Sequence, residues 1–259
     1  MSVLHWLRLG GRYAIGIPAL RGGDVLLTSF PRSGSTLVRF VVVHYALGLA
    51  GDRSTVTFDR LNRQAPELGA SGLGRGTLDD RVPRLVKTHR PYSPALARPR
   101  ALHLVRSPLD ALASYHRYWT GRVGGADVGS SEFLRDRRRG LPRWILHTQS
   151  WRSRADGTLS YADLRKDPGR TIADAFGALG VEIDRDEMAR AAERSSPEAV
   201  REQERAGGIA GSDRLGDGAS FVADRAAGEG ERYFSAEDQE WAHRRLIEAG
   251  LGVWSRGGA

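Results

Sequence analysis

The chain has 259 residues, 40% of them hydrophobic, enough for one large domain that buries roughly 70 to 75% of its unfolded surface without a metal or cross-link. It contains no cysteine, which excludes a disulfide scaffold and thiolate metal sites and suits a reducing compartment such as the cytoplasm, and no apolar run approaches the ~18 residues of a membrane-spanning helix. The net charge of +8 sits on scattered arginines, with lysine only at Lys87 and Lys166; such a bias is what a G+C-rich bacterial genome would give, and the basic stripe with interleaved aromatics expected of a nucleic-acid binder is absent.

From Met1 to Arg21, Leu4, Trp6, Leu7, Tyr13 and Ile15 mix with Arg8, Arg12 and Arg21 and lack the continuous apolar core of a signal peptide, so residues 1–21 are expected to form a helix or lid. Val25 to Ser29 reads as a strand, and Ser35 to Leu49, apolar nearly all round, as a buried helix closed near Gly48 and Gly51. Arg84 to Thr88 and Ala101 to Arg106 are further short apolar runs that end in polar residues. Together the three predict a parallel sheet with chemistry at its carboxyl ends, where open α/β sheets bind ligands.

Ser107-Pro108-Leu109-Asp110 is a helix start, with proline at the first turn and Asp110 placed to answer the first-turn N–H groups; that helix should reach about Trp119. Further helices are expected at Ser131 to Arg138, Leu141 to Arg154, Pro168 to Leu179, Asp184 to Glu193 and Ser235 to Ala249, and a further strand at Thr158 to Tyr161. Arg135, Arg137, Arg138 and Arg139 read as a solvated helix face. The glycine-rich stretches Glu67 to Thr77 and Arg205 to Ser220 read as mobile loops, and nothing marks a second domain within 1–259.

The chemistry concentrates in the turn after the first strand, Phe30-Pro31-Arg32-Ser33-Gly34-Ser35-Thr36-Leu37. A strand, a glycine turn and a helix bring loop N–H groups and a helix N-terminus onto one anion, and Ser33, Ser35 and Thr36 add hydroxyl donors. Taken alone, the loop also fits a ligand-free Ser/Gly connector. Aligned on Gly34, a Walker A pattern would want glycine at Ser29 and lysine at Ser35; the cation sits instead at Arg32. This arrangement resembles the 5′-phosphosulfate loop, Pro-(Lys/Arg)-Ser-Gly-(Ser/Thr)-(Ser/Thr), of sulfotransferases that use 3′-phosphoadenosine 5′-phosphosulfate.

After the third strand stand Arg106, Ser107, Pro108, Asp110 and Ser114. Ser107 and Ser114 lie seven residues apart, roughly 20° off the same helix face and about 10 Å apart, so a phosphate beside that helix can be held by Ser114 and by Arg106 from the strand end. The group is similar to the 3′-phosphate motif of the same family. Tyr161-Ala162-Asp163 resembles the family segment whose tyrosine reaches the adenine. Ser195-Ser196-Pro197 stands where the family has a polar adenine contact followed by phenylalanine, and Leu37 replaces a stacking tryptophan. Gly228 to Ser235 resembles the C-terminal nucleotide loop, with Arg225 as a substitute for its missing basic segment.

Lys87-Thr88-His89 resembles the family's Lys-Thr-His, in which the histidine is the base. The resemblance therefore implies a P-loop-like three-layer α/β domain around a parallel β-sheet, His89 as general base, and Arg32 and Lys87 as the cations of a metal-independent sulfuryl transfer. The nucleotide would rest on Arg32, Ser33, Gly34, Ser35, Thr36, Leu37, Arg106, Ser114, Tyr161, Ser195 and Arg225. His147 sits in a segment similar to one that lines the acceptor side, and core packing accounts for it equally well. The acceptor would be a small-molecule, lipid or sugar hydroxyl or amine, and the protein a monomer or homodimer. Two other classes stay open on the residues alone: a P-loop kinase or NTPase, and an arginine-rich nucleic-acid or anionic-surface binder.

Overall fold

A computed structural model describes residues 16–69, 73, 79–122, 128–207 and 228–254. Strands β1 (Val25–Ser29), β2 (Leu85–Thr88), β3 (Arg100–Val105) and β4 (Gly157–Ser160) form a parallel sheet in the order β2-β1-β3-β4. Thr28 stands opposite Thr88 on one side and His103 on the other, and Val105 opposite Ser160. Parallel pairing puts the carboxyl ends of all four strands on one rim.

Helices cover both faces, making three layers. On one face α1 (Ser35–Leu49), α2 (Phe58–Gln64), α7 (Pro168–Ala178) and α8 (Arg185–Glu193) pack on Val25, Leu27, Leu102 and Leu104. On the other, α3 (Pro108–Arg122), α4 (Ser130–Arg135), α5 (Leu141–Arg152) and α11 (Ala236–Glu248) gather around Phe30, Val105, Phe133 and Trp144, and Leu26, Val86 and Ala101 meet Trp151. The alternation of Val25 and Leu27 against Leu26 is the period-two side-chain rule of a strand buried on both faces. At the opposite rim, Arg84 makes a two-pronged ion pair with Asp24, at 2.9 and 2.6 Å, fully shielded from solvent.

The short helices α2, α6 (Tyr161–Lys166), α9 (Pro197–Gly207) and α10 (Glu229–Tyr233) were not expected from the sequence. Tyr161, read as a strand end, opens α6, because Ser160 Oγ accepts from the N–H of Ala162 and of Asp163. The arginine cluster is not one helix face: Asp136 ends α4 by accepting from the N–H of Arg138 and Arg139, and Arg139 lies over Trp119. Among the described residues, Asp110 makes no hydrogen bond to its own first turn either. It accepts instead from the N–H of Gly228 at 3.1 Å and of Gly230 at 2.7 Å, fastening α10 onto α3.

The start of the stretch read as a mobile loop is held in place. Leu68 N–H donates to Lys87 O and Lys87 N–H to Pro66 O, both at 2.8 Å, so Glu67 forms a bridge beside β2. Of the expected N-terminal segment, Ile17–Ala19 is one 3-10 turn and Leu20 is buried; residues 1–15, 208–227 and Arg225 with them lie outside the described residues.

Candidate active site

The loop between β1 and α1 owes its shape to two residues in the left-handed region, Arg32 at φ 66° and Gly34 at φ 100°. Glycine adopts that region at little steric cost, whereas arginine does not. Gly34 also has no room for a side chain, since a Cβ there would lie 2.7 Å from the Tyr161 ring. Ser35 and Thr36 open α1, where unpaired backbone N–H groups and the helix dipole favour an anion.

Residues far apart in sequence interlock around this loop. Arg32 Nε donates to Ser114 Oγ at 3.2 Å, and its guanidinium lies over Tyr118. Arg106 Nη1 donates to the Arg32 carbonyl at 2.9 Å, with its guanidinium 4.4 Å from the Tyr161 ring centre. The expected nucleotide residues Arg32, Ser33, Gly34, Arg106, Ser114 and Tyr161 are thus one constellation. Within it, Ser33 Oγ and Arg106 Nε are buried without a hydrogen-bond partner among the described residues. Buried donors of this kind cost about 1 to 3 kcal/mol each when left unmet, so the pair marks a place built to receive acceptor oxygens.

The other wall comes from the end of β2. His89 Nδ1 lies 2.7 Å from the Ser29 carbonyl, which can only accept; Nδ1 therefore carries the proton and Nε2 presents a lone pair. Burial first, and Lys87 second, lower the pKa of His89 to about 4, against the pull of Glu67 and of the Ser29 carbonyl. Lys87 Nζ donates to Glu67 Oε2 at 2.9 Å. Burial lowers Lys87 below its ordinary value while Glu67 opposes that shift. Burial by itself would raise the Glu67 carboxyl, but Lys87, then His89, bring it down to about 2.

A cavity of about 590 Å³ joins the two walls, running from Lys87 and His89 past the Arg32 loop to Tyr161 and Pro197. Leu37 lines it and packs on the core. Ser195 is also on its wall, but its hydroxyl is already engaged, donating to Ala191 O and meeting His44 Nδ1 at 2.8 Å each. His147 is fully buried below the site, with Nε2 3.2 Å from Thr28 Oγ1. His44 and His103 are core residues, and His116 bonds Tyr233 and the Val128 carbonyl. Glu67 joins Lys87 on the cavity wall although the sequence does not single it out: its partner is 20 positions away, and no local pattern announces the backbone bridge between them.

A family model described as "Sulfotransferase domain" matches residues 22–240, most of the chain. The chain belongs to the sulfotransferase family. Among curated members, human sulfotransferase 4A1 is 26% identical over 183 residues, covering 65% of this chain and 64% of that protein, so the aligned region spans just under two thirds of that relative. Mouse sulfotransferase 2A2 is 23% identical over 84% of this chain and 80% of its own length. Among solved structures, retinol dehydratase in complex with retinol and PAP superposes with a TM-score of 0.70 at 18% identity, covering 95% of this chain and 86% of that one. Mouse sulfotransferase SULT7A1 complexed with PAP gives 0.63 at 17% identity, covering 96% and 92%. These likenesses establish that this sulfotransferase-family chain has the family's P-loop-like α/β fold.

Proposed function

We propose that this protein transfers a sulfuryl group from 3′-phosphoadenosine 5′-phosphosulfate to a hydroxyl or amine of a small-molecule, lipid or carbohydrate acceptor, with His89 as the base and no metal. The observation that carries the reading is the meeting, in one cavity, of the Arg32–Thr36 loop and Arg106, whose Nε is buried without a partner among the described residues, with an imidazole whose Nε2 lone pair is free of its Ser29 anchor. PAP in the related structures, and androsterone in another retinol dehydratase complex, supports the nucleotide and the acceptor size.

The bound phosphosulfate supplies the sulfuryl group. Ser33, Ser35, Thr36 and the N-terminus of α1 would hold its 5′ side, and Arg106 with Ser114 its 3′-phosphate. Arg32 and Lys87 neutralise charge at the transferring group, the kind of fixed electrostatic support on which such transfers depend. His89 Nε2 takes the acceptor proton while Ser29 O fixes the ring through Nδ1. Tyr161 and Leu37 flank the nucleotide end.

Thermal shift distinguishes the proposal from a kinase. PAP should raise Tm by several degrees and ATP or ADP by much less, without any effect of EDTA. Equal shifts, or an EDTA-sensitive response, would reverse the assignment. On an acceptor found by screening, His89→Ala should lower kcat by about 100-fold or more with PAP affinity retained.

A further inference from the structure

We infer that Glu67 is a positioning residue of this site: its carboxylate holds Lys87 until the co-substrate anion takes over that ammonium, and then faces the imidazolium formed at His89. The inference rests on the sulfuryl-transfer reading above and names a residue that neither the motifs nor the fold comparison assigns.

Geometry fixes the pair from both sides. The backbone bridge joins Glu67 to Lys87, and the side chains meet at 2.9 Å. Arg39 on α1 braces the same segment by donating to Ala65 O at 2.7 Å and to Asn62 Oδ1 at 2.8 Å. Among the described residues Glu67 is the only carboxylate paired with Lys87. The two partners differ in access, 28% of the Glu67 side chain being exposed against 7% for Lys87, and both line the cavity.

Charge accounting gives the pair its role. The charged and titratable groups around His89 are Lys87 on β2, Glu67 on the bridge, Arg39 on α1 and, from below, His147 on α5. Without ligand, two cations stand against one carboxylate, and a proton on His89 is disfavoured. An anion beside Lys87 shifts that balance and leaves Glu67 less neutralised. In the reaction the acceptor oxygen bonds to sulfur as the sulfur–oxygen bond to the nucleotide phosphate breaks; that bond's electron pair leaves with the phosphate. The acceptor proton goes to His89 Nε2, and Glu67 provides the countercharge.

The test uses the full chain with PAP as probe and needs no acceptor. PAP affinity is measured by calorimetry, and the His89 Cε1–H resonance is titrated by NMR with and without PAP. In the wild type, PAP should raise the His89 midpoint. Glu67→Gln should bind PAP as tightly as the wild type or tighter, because an opposing charge is gone, while its His89 midpoint in the PAP complex falls by about one unit, a tenfold loss of proton affinity. Glu67→Asp should keep most of the wild-type midpoint. Weaker PAP binding by E67Q with an unmoved His89 midpoint would reduce Glu67 to a brace and overturn the inference. So would a wild-type midpoint indifferent to PAP, which needs no variant to fold. Failure of the wild type to bind PAP would instead defeat the sulfuryl-transfer reading.

Discussion

Arg32 concentrates strain and function at one residue. It occupies the left-handed region at φ 66° while its side chain reaches Ser114 and its carbonyl anchors Arg106. A non-glycine residue there costs about 1 to 2 kcal/mol, so Arg32→Gly should be more stable than Arg32→Ala by roughly 1 kcal/mol in urea unfolding, while both lose PAP affinity by tenfold or more. Equal stability of the two variants would show that the loop relaxes. Gly34 is the converse case. Gly34→Ala would push a Cβ against Tyr161 at φ 100°, and both lowered Tm and weakened PAP binding are expected from one methyl group. Arg32, Gly34 and Arg106 were legible in the sequence because each stands within a few residues of a strand end, and Ser114 because it follows Ser107 by seven residues on one helix face. Glu67 was not, and nor was the engagement of the Ser195 hydroxyl by His44, because both depend on contacts made only when distant segments meet.

At the scale of elements, the four strands and the long helices announce themselves by periodicity and by their capping residues. The short helices do not. The six residues of α6 cannot show a period, and their start depends on the Ser160 cap. Asp110 shows what such readings miss, since a first-turn acid normally serves its own helix, whereas here it serves α10. Gly230 fits against it so closely that an added Cβ would lie 2.2 Å from the Leu109 carbonyl carbon. Asp110→Ala should therefore leave two partly or fully buried N–H groups unmet, cost about 2 to 4 kcal/mol in urea unfolding, and increase amide exchange across residues 228–233 before the sheet is affected. Uniform exchange across the molecule would show that α10 is not a separately held unit.

For the whole molecule, the buried histidines set the acid limit. His44 and His103 are each lowered from 6.5 to about 4 by burial, and His147 is lowered well below its ordinary value for the same reason. Between pH 6.5 and 4 the unfolded chain therefore binds more protons than the folded one, and stability falls as pH falls, by up to about 1.4 kcal/mol per pH unit for each of these imidazoles. Tm should begin to decline below about pH 6.5, before most carboxylates titrate, and His103→Gln should flatten that decline; a Tm constant down to pH 5 would mean that these rings take up protons inside the fold against acceptor groups. The scarcity of lysine has a practical consequence of its own. Lys166 stands 79% exposed beside Asp163, whereas Lys87 is only 7% exposed and tied to Glu67. An amine-reactive reagent followed by mass spectrometry therefore has an internal reference and a reporter in the same chain, and the ratio of the two modified peptides reads how accessible Lys87 is through the cavity it lines and whether an added nucleotide covers it.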